Sequence, residues 1–218
     1  MDVKSWKKFP ITNLFDVVQE KKDNQAVRLE EGEIPLISAG QNMGNGVVKL
    51  VKNPVVGSTL FHAGSITVDM FGQAYWQPND FVAVSHARVT ILSPKLDILK
   101  DKYVGMFIAS CLTRIFKSLS AYEAMCCIKV IVKESLILPV TPDGTPDWNY
   151  MSDYMKNLEI ISKKNLSFYL NPRNYNTIDV TKWRNFCISD LFNLSRGKSK
   201  KNGKKVGDTA YISASKEN

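Results

Sequence analysis

Tyr103, Val104, Phe107, Ile108, Cys111, Leu112, Ile115 and Phe116 recur at i, i+1, i+4 and i+5. That is the stripe of a helix with one face in a core. Upstream, between residues 34 and 92, the period shortens. Segments 35–38, 47–51, 65–68, 81–84 and 88–92 alternate or are β-branched and predict strands. Gly40, Gly44, Asn45-Gly46, Asn53-Pro54, Gly72 and Pro78-Asn79-Asp80 supply the turns between them. A last strand is predicted over 136–140, followed by the turn-rich segment 141–146. Asp147 then caps a helix to about residue 164, with Met151, Met155, Leu158 and Ile161 along one side. Near the start, Thr12 is expected to cap a short helix carrying Leu14, Phe15 and Val18. The fold class expected is α/β in the broad sense (α+β): a mixed, strand-rich domain followed by a single helix.

The chain also repeats itself. Trp6, Phe9, Ile11, Leu14 and Phe15 return in register as Trp183, Phe186, Ile188, Leu191 and Phe192, at an offset of 177. Leu36-Ile37-Ser38-Ala39 returns as Tyr211-Ile212-Ser213-Ala214, offset by 175. Two blocks in the same order at that spacing describe a duplicated domain rather than a solenoid unit. The organisation expected is a domain over 1–145, a spacer helix and linker over 146–182, and the opening of a second copy over 183–218.

Composition narrows the chemistry. At 218 residues with 44% hydrophobic and 23% charged residues, the chain is ordinary globular material. The longest uncharged stretch, 53–68, is interrupted by Gly57, Ser58, His62, Gly64 and Ser65, so no membrane span and no membrane partner is expected. The N-terminus lacks the apolar core of a signal peptide, which makes a cytoplasmic protein the default. Cys111, Cys126, Cys127 and Cys187 show neither C-x-x-C nor framework spacing, and only His62 and His86 are available. Buried thiols in a reducing compartment are therefore expected, with no metal and no cofactor. The formal charge is +8, of which +5 falls in residues 183–218. A basic balance suits a polyanionic partner, although the lysines between Lys198 and Lys205 also read as a solvated loop.

Enzyme motifs fail one by one. Gly44-Asn45-Gly46-Val47-Val48-Lys49 has a lysine where a dinucleotide fingerprint places its third glycine. Asn171-Pro172-Arg173-Asn174-Tyr175 lacks the second proline of an adenine-methyltransferase loop. Neither Pro142-Asp143 nor Pro146-Asp147 is followed by a nuclease-like acidic-x-Lys spacing, and no Ser/His/Asp or Cys/His constellation stands out.

The order of the pieces is distinctive. Trp6, Phe9, Ile11 and Leu14-Phe15 open the domain, followed by Ile34-Pro35-Leu36-Ile37-Ser38-Ala39-Gly40 and Gly64-Ser65-Ile66-Thr67-Val68. Then come Gly72, Ile137-Leu138-Pro139 and Pro146-Asp147-Trp148-Asn149-Tyr150-Met151. Across the whole chain this layout resembles the DNA specificity subunit of type I restriction-modification systems, and the similar modules of some fused type II enzymes. The resemblance implies recognition domains that each read half of a split duplex DNA sequence. It also implies spacer helices that dock methyltransferase subunits, which act with restriction subunits. The chain would then be a non-catalytic, DNA-binding specificity subunit. Two departures stand out: the second copy stops early, and a spacer helix of about 18 residues is short for the family. The rival readings are a fragment of an adenine methyltransferase or nuclease, and a non-catalytic decoy that occupies methyltransferase subunits.

Base reading needs paired donors and acceptors on loops, and phosphate contact needs cations or hydroxyls. Gln41, Asn42 and Asn45 sit in a polar hairpin tip followed by Lys49 and Lys52, though Asn and Gly there also read as a plain turn. Gln73, Tyr75 and Gln77 alternate with other residues ahead of His86 and Arg88. Tyr75 reads equally as core, and His86 as a satisfied histidine. The base-reading set is therefore Gln41, Asn42, Asn45, Gln73, Gln77 and Arg88, with Tyr75 and His86 beside them. Lys49, Lys52 and Lys117 are assigned to phosphates. Arg114 and Lys117 also complement the dipole at the end of their helix. Met151, Met155, Leu158 and Ile161 form the seam expected to meet a partner, either the methyltransferase subunit or a second copy of the chain in a homodimer.

Overall fold

The computed structural model describes residues 6–40, 43–53, 55–85, 88–119, 125–170, 181 and 183–193. Gln41, Asn42, His86, the lysines from Lys198 to Lys205 and the repeat block at 211–214 lie outside the described residues. The chain divides into two compact units, one running to residue 160 and one starting at residue 161.

The first unit mixes helices with mainly antiparallel sheets, an α+β fold. Its strands are β1 (Lys7–Pro10), β2 (Phe15–Val18), β3 (Glu31–Ile37), β4 (Val47–Val51), β5 (Ile66–Asp69), β6 (Ala74–Trp76), β7 (Val82–Ala83), β8 (Val89–Pro94) and β9 (Ser135–Leu138). They form three sheets, ordered β1-β9, β2-β8-β5-β6 and β4-β3-β7. Among the described residues only β3 and β7 pair in parallel. Its helices are α1 (Ile11–Leu14), α2 (Lys102–Leu119), α3 (Ile128–Ile131) and the part of α4 (Trp148–Leu170) up to residue 160.

Strand β8 separates two cores. Its alternation sends Val89 and Ile91 into a cluster with Leu36, Ile37, Val51, Phe81 and Val82. Leu92 faces the other way, into a cluster with Ile66, Val68 and the buried side of α2. Burying each of Val104, Phe107, Ile108, Leu112 and Phe116 from α2 contributes about 1.5–3 kcal/mol. Asp101 starts that helix, its Oδ1 accepting the N–H groups of Tyr103 and Val104 at 3.0 Å. Gly105 lets the Trp76 indole rest on the helix: a Cβ there would lie 2.1 Å from Trp76 Cδ1.

Sequence and structure part company at the start. Thr12 caps nothing. The turn of helix is only Ile11–Leu14, preceded by Pro10 without a side-chain cap bond, and Phe15 and Val18 belong to β2. Phe9 and Pro10 lie on β1, which β9 holds in register through Phe9 opposite Leu136. A four-residue apolar run cannot distinguish a helix turn from a strand by periodicity alone, and pairing with distant strands decides the matter. Strand β6 also escaped the pattern because its three residues are too few to show a period.

Asp147 does cap α4, its Oδ1 accepting the Tyr150 N–H at 2.9 Å. The first turns of α4 pack on the domain. Met151 is fully buried and Met155 lies against the same core. Glu159 accepts the Tyr103 hydroxyl at 2.7 Å and pairs with Lys102 at 3.2 Å.

In the second unit, α5 (Ile188–Leu191) stands 177 residues after α1. Its flanking geometry matches: φ −70°, ψ 140° at Cys187 and −137°, 140° at Phe192, against −54°, 134° at Pro10 and −136°, 146° at Phe15. In both, the residue after the helix donates its N–H to the first helical carbonyl. The burial differs. Ile11, Leu14 and Phe15 are buried, whereas Ile188, Leu191 and Phe192 are exposed.

Candidate nucleic-acid interface

At the end of β5 the chain reverses over residues 69–73, and the reversal is built around one carboxylate. Asp69 is buried, and its Oδ1 accepts the N–H groups of Phe71 and Gln73, both at 2.9 Å. Its Oδ2 accepts the Gly40 N–H at 3.3 Å, which ties in the loop after β3. The Asp69 N–H donates to Gln73 O and the Gly72 N–H to Asp69 O, each at 2.9 Å. An aspartate closing a turn on its own backbone is a favoured arrangement. Gly72 has φ +78°, and a Cβ on it would lie 2.5 Å from Phe116 C and 2.8 Å from Lys117 N. Glycine is required twice over, for the backbone angle and for the approach to α2.

Two further bonds draw other segments in. Met70 N–H donates to Arg88 O at 2.9 Å, and Cys126 N–H donates to Met70 O at 3.0 Å. The turn therefore lies against Arg88 on one side and Lys117 on the other, both exposed cations. It also stands between two hollows. An open groove of about 870 Å³ is lined by Asp23, Gln25, Ser38, Met70, Ser85 and Arg88, among others. A second, of about 530 Å³, is lined by Asn45, Gln73, Tyr75, Trp76 and Thr113, among others. The arrangement offers amide, hydroxyl and guanidinium groups on loops above a rigid sheet edge, the chemistry that base edges and phosphates require.

The structure sorts the residues read from sequence. Gln73, Arg88 and Lys117 converge on the 69–73 turn, with Asn45 and Tyr75 lining the adjacent hollow. The Gln73 amide leans on Thr113 Oγ1 at 3.2 Å, which orients it. Gln77 does not belong with them. It is 2% exposed, and its Nε2 donates to Asn45 O at 2.9 Å and Thr67 Oγ1 at 2.8 Å, so it supports the loop from beneath. Lys49 is likewise occupied, donating to the carbonyls of Ala26 (3.2 Å) and Leu29 (2.7 Å). Lys52 pairs with Glu30 at 3.1 Å. It sits past the far end of β4, whose five residues put roughly 15 Å of extended chain between it and the loop at Asn45.

The seam on α4 also changes. Met151, at 0% exposure, is core and cannot meet a partner, and Met155 is largely covered. Leu158 and Ile161 are exposed, at 39% and 53%, and Tyr150 and Tyr154 continue their face. The stripe therefore runs from buried Met151 to exposed Leu158 within the first unit.

Sequence reasoning missed Asp69, Met70 and Phe71. Gly72 marked a turn, and Asp three residues before a Gly is an Asx-turn signal, but nothing in the pattern shows that Gly40, Arg88 and Lys117 meet there. Among the described residues no cluster of three His, Cys, Asp or Glu side chains forms a metal site, and no helix is long and apolar enough to cross a membrane.

These features define a strand-rich α+β domain with a long following helix and a polar, cationic loop face. The chain belongs to the family described as "Type I restriction modification DNA specificity domain", whose model matches residues 3–167. A curated relative, the "Type II restriction enzyme BgcI specificity subunit S.BcgI" of Heyndrickxia coagulans, is 24% identical over 217 residues. That match takes in 96% of this chain and 61% of the relative, so the chain spans about three-fifths of that protein's length. The fold is shared with the S subunit of a type I restriction-modification system from M. genitalium, with TM-score 0.50, 14% identity and coverage of 75% of this chain and 42% of that one. It is shared equally with the HsdS subunit of Thermoanaerobacter tengcongensis, with TM-score 0.51, 10% identity and coverage of 80% and 41%.

Proposed function

We propose that this chain is the sequence-reading component of a restriction-modification assembly. It binds a short stretch of duplex DNA through the face around the 69–73 turn, and it performs no chemistry itself. One observation carries the reading: in a chain of the DNA specificity family, Gln73, Arg88 and Lys117 come together on a turn clamped by buried Asp69. Gln73 and Arg88 read bases, with Asn45 and Tyr75 beside them, and Lys117 contacts phosphate. Gln41, Asn42 and His86 remain proposed members of the DNA-binding set on their residue types alone.

In this reading residues 1–145 are a recognition domain for one half of a split target and 146–182 are spacer and linker. Residues 183–218 open a second recognition domain, a view supported by the matching geometry of α5 and α1. The exposed face at Leu158 and Ile161 receives a methyltransferase subunit or pairs with a second copy, and restriction subunits join through that assembly. The place of action is the cytoplasm, where the DNA is.

Pull-down with the methyltransferase subunit, with and without DNA, tests the proposal together with labelled S-adenosylmethionine. Retention of DNA that depends on this chain, and no methyl transfer by this chain alone, is the expected result. Retention of the methyltransferase with loss of DNA would mark a decoy. Methyl transfer by the chain alone would make it an enzyme.

A further inference from the structure

We infer that Phe71 makes an apolar contact with a DNA base; this rests on the DNA-binding reading above. Phe71 is a large aromatic side chain left 54% exposed, on a turn whose backbone is held by hydrogen bonds. Its own N–H is held by Asp69 Oδ1, and the next residue, Gly72, is wedged against the backbone of Phe116 and Lys117. Met70, on its other side, is bonded at both its N–H and its carbonyl. An exposed phenylalanine whose chain neighbours meet the backbone of two exposed cations, Arg88 and Lys117, fits a polyanion with an apolar interior better than it fits an ordinary protein surface. Nucleic acid has that character, with phosphates outside and base faces and thymine methyl groups within the grooves.

The rigidity matters. A contact that orders a mobile loop loses part of its free energy to entropy, whereas a side chain on a clamped turn avoids the backbone share of that cost. Asp69 is thus a positioning residue for Phe71, and it also holds the Gly40 N–H. The shared chemistry is an apolar base surface, either the 5-methyl group of thymine or the face of a base at an opened step.

The experiment uses the full chain with its methyltransferase subunit and a duplex selected from a random-sequence pool. Phe71→Ala should lower affinity for that duplex about tenfold, with no fall in melting temperature, because the side chain is not in the core. Replacing thymine by uracil at each position in turn, and placing 2-aminopurine at each adenine, separates the two contacts. Loss at one uracil identifies the methyl group, and a 2-aminopurine response that vanishes in Phe71→Ala identifies stacking. If Phe71→Ala binds like the unaltered chain while Arg88→Ala binds weakly, the inference is wrong and the interface stands. If Phe71→Ala binds weakly but neither base probe responds, the side chain touches something other than a base and the inference is again wrong. If Phe71→Ala, Arg88→Ala and Lys117→Ala all bind normally, the face itself is misassigned, and with it the proposed function.

Discussion

The Gln77 amide donates to the backbone carbonyl of Asn45 at 2.9 Å, joining positions 32 residues apart. Asn45 has φ +50°, a left-handed conformation that asparagine tolerates better than most residues. The same amide group donates to Thr67 Oγ1. Gln77 is therefore a buttress under the loop that its own sequence neighbourhood suggested it would join.

Gln77→Met keeps the volume and strips both bonds, leaving the Asn45 carbonyl and the buried Thr67 hydroxyl without this donor. A loss of about 1–3 kcal/mol in unfolding free energy is expected, read from urea melts. Any loss of DNA affinity should be no larger than that of a variant destabilised to the same degree elsewhere in the core.

Arg88→Ala and Lys117→Ala should behave as different classes. Loss of the arginine should cost about 1–3 kcal/mol on one base pair and relax preference there. Loss of the lysine should weaken all duplexes alike and reduce the slope of log K against log salt by about one unit. Titrations at several salt concentrations on matched and mismatched duplexes separate them. Lys49→Ala should instead lower stability, because that ammonium holds two carbonyls of the chain.

Helix α4 predicts a contrast within one stripe. Met151→Ala should destabilise the domain by about 2–5 kcal/mol, as expected for truncating a fully buried side chain. Leu158→Asp should leave stability within about 0.5 kcal/mol and weaken association with the methyltransferase subunit or with a second copy. Thermal melts and sedimentation on the same pair of variants measure both.

The alternation of β4, β5 and β8 and the stripe of α2 were legible because each is long enough to repeat its period and lies against a continuous core. The α1–β2 region was not, since Phe15 is placed by its pairing partner Pro94 on a strand far along the chain. The interface was legible as residue types on loops. Which of them meet was not, because the junction of Met70 with Arg88 and of Gly72 with Lys117 is made by backbone atoms that carry no sequence signature. Gln73 and Gln77 illustrate the limit: identical side chains four residues apart, one on the face and one buried beneath it.

Cys111 supplies a pH-dependent test of the core. Burial pushes its thiol pKa up to about 11, against an opposing pull from the Arg114 charge. The folded chain therefore holds this proton more tightly than the unfolded chain. The associated stability is present below the unfolded thiol's pKa and is lost as pH rises through about 11. At pH 9 Cys111 is held mainly as the thiol, so iodoacetamide should label exposed Cys187 while Cys111 stays protected until the chain unfolds. Peptide mapping after brief labelling reads the difference.

The most direct measurement is selection from random duplex DNA by the full chain with its methyltransferase subunit, repeated with Gln73→Ala and Arg88→Ala. The account predicts a motif of a few base pairs for the unaltered chain, with one position relaxed in each variant and the rest retained. A motif unchanged in both variants, or no enrichment from a chain shown to be folded and assembled, would contradict it.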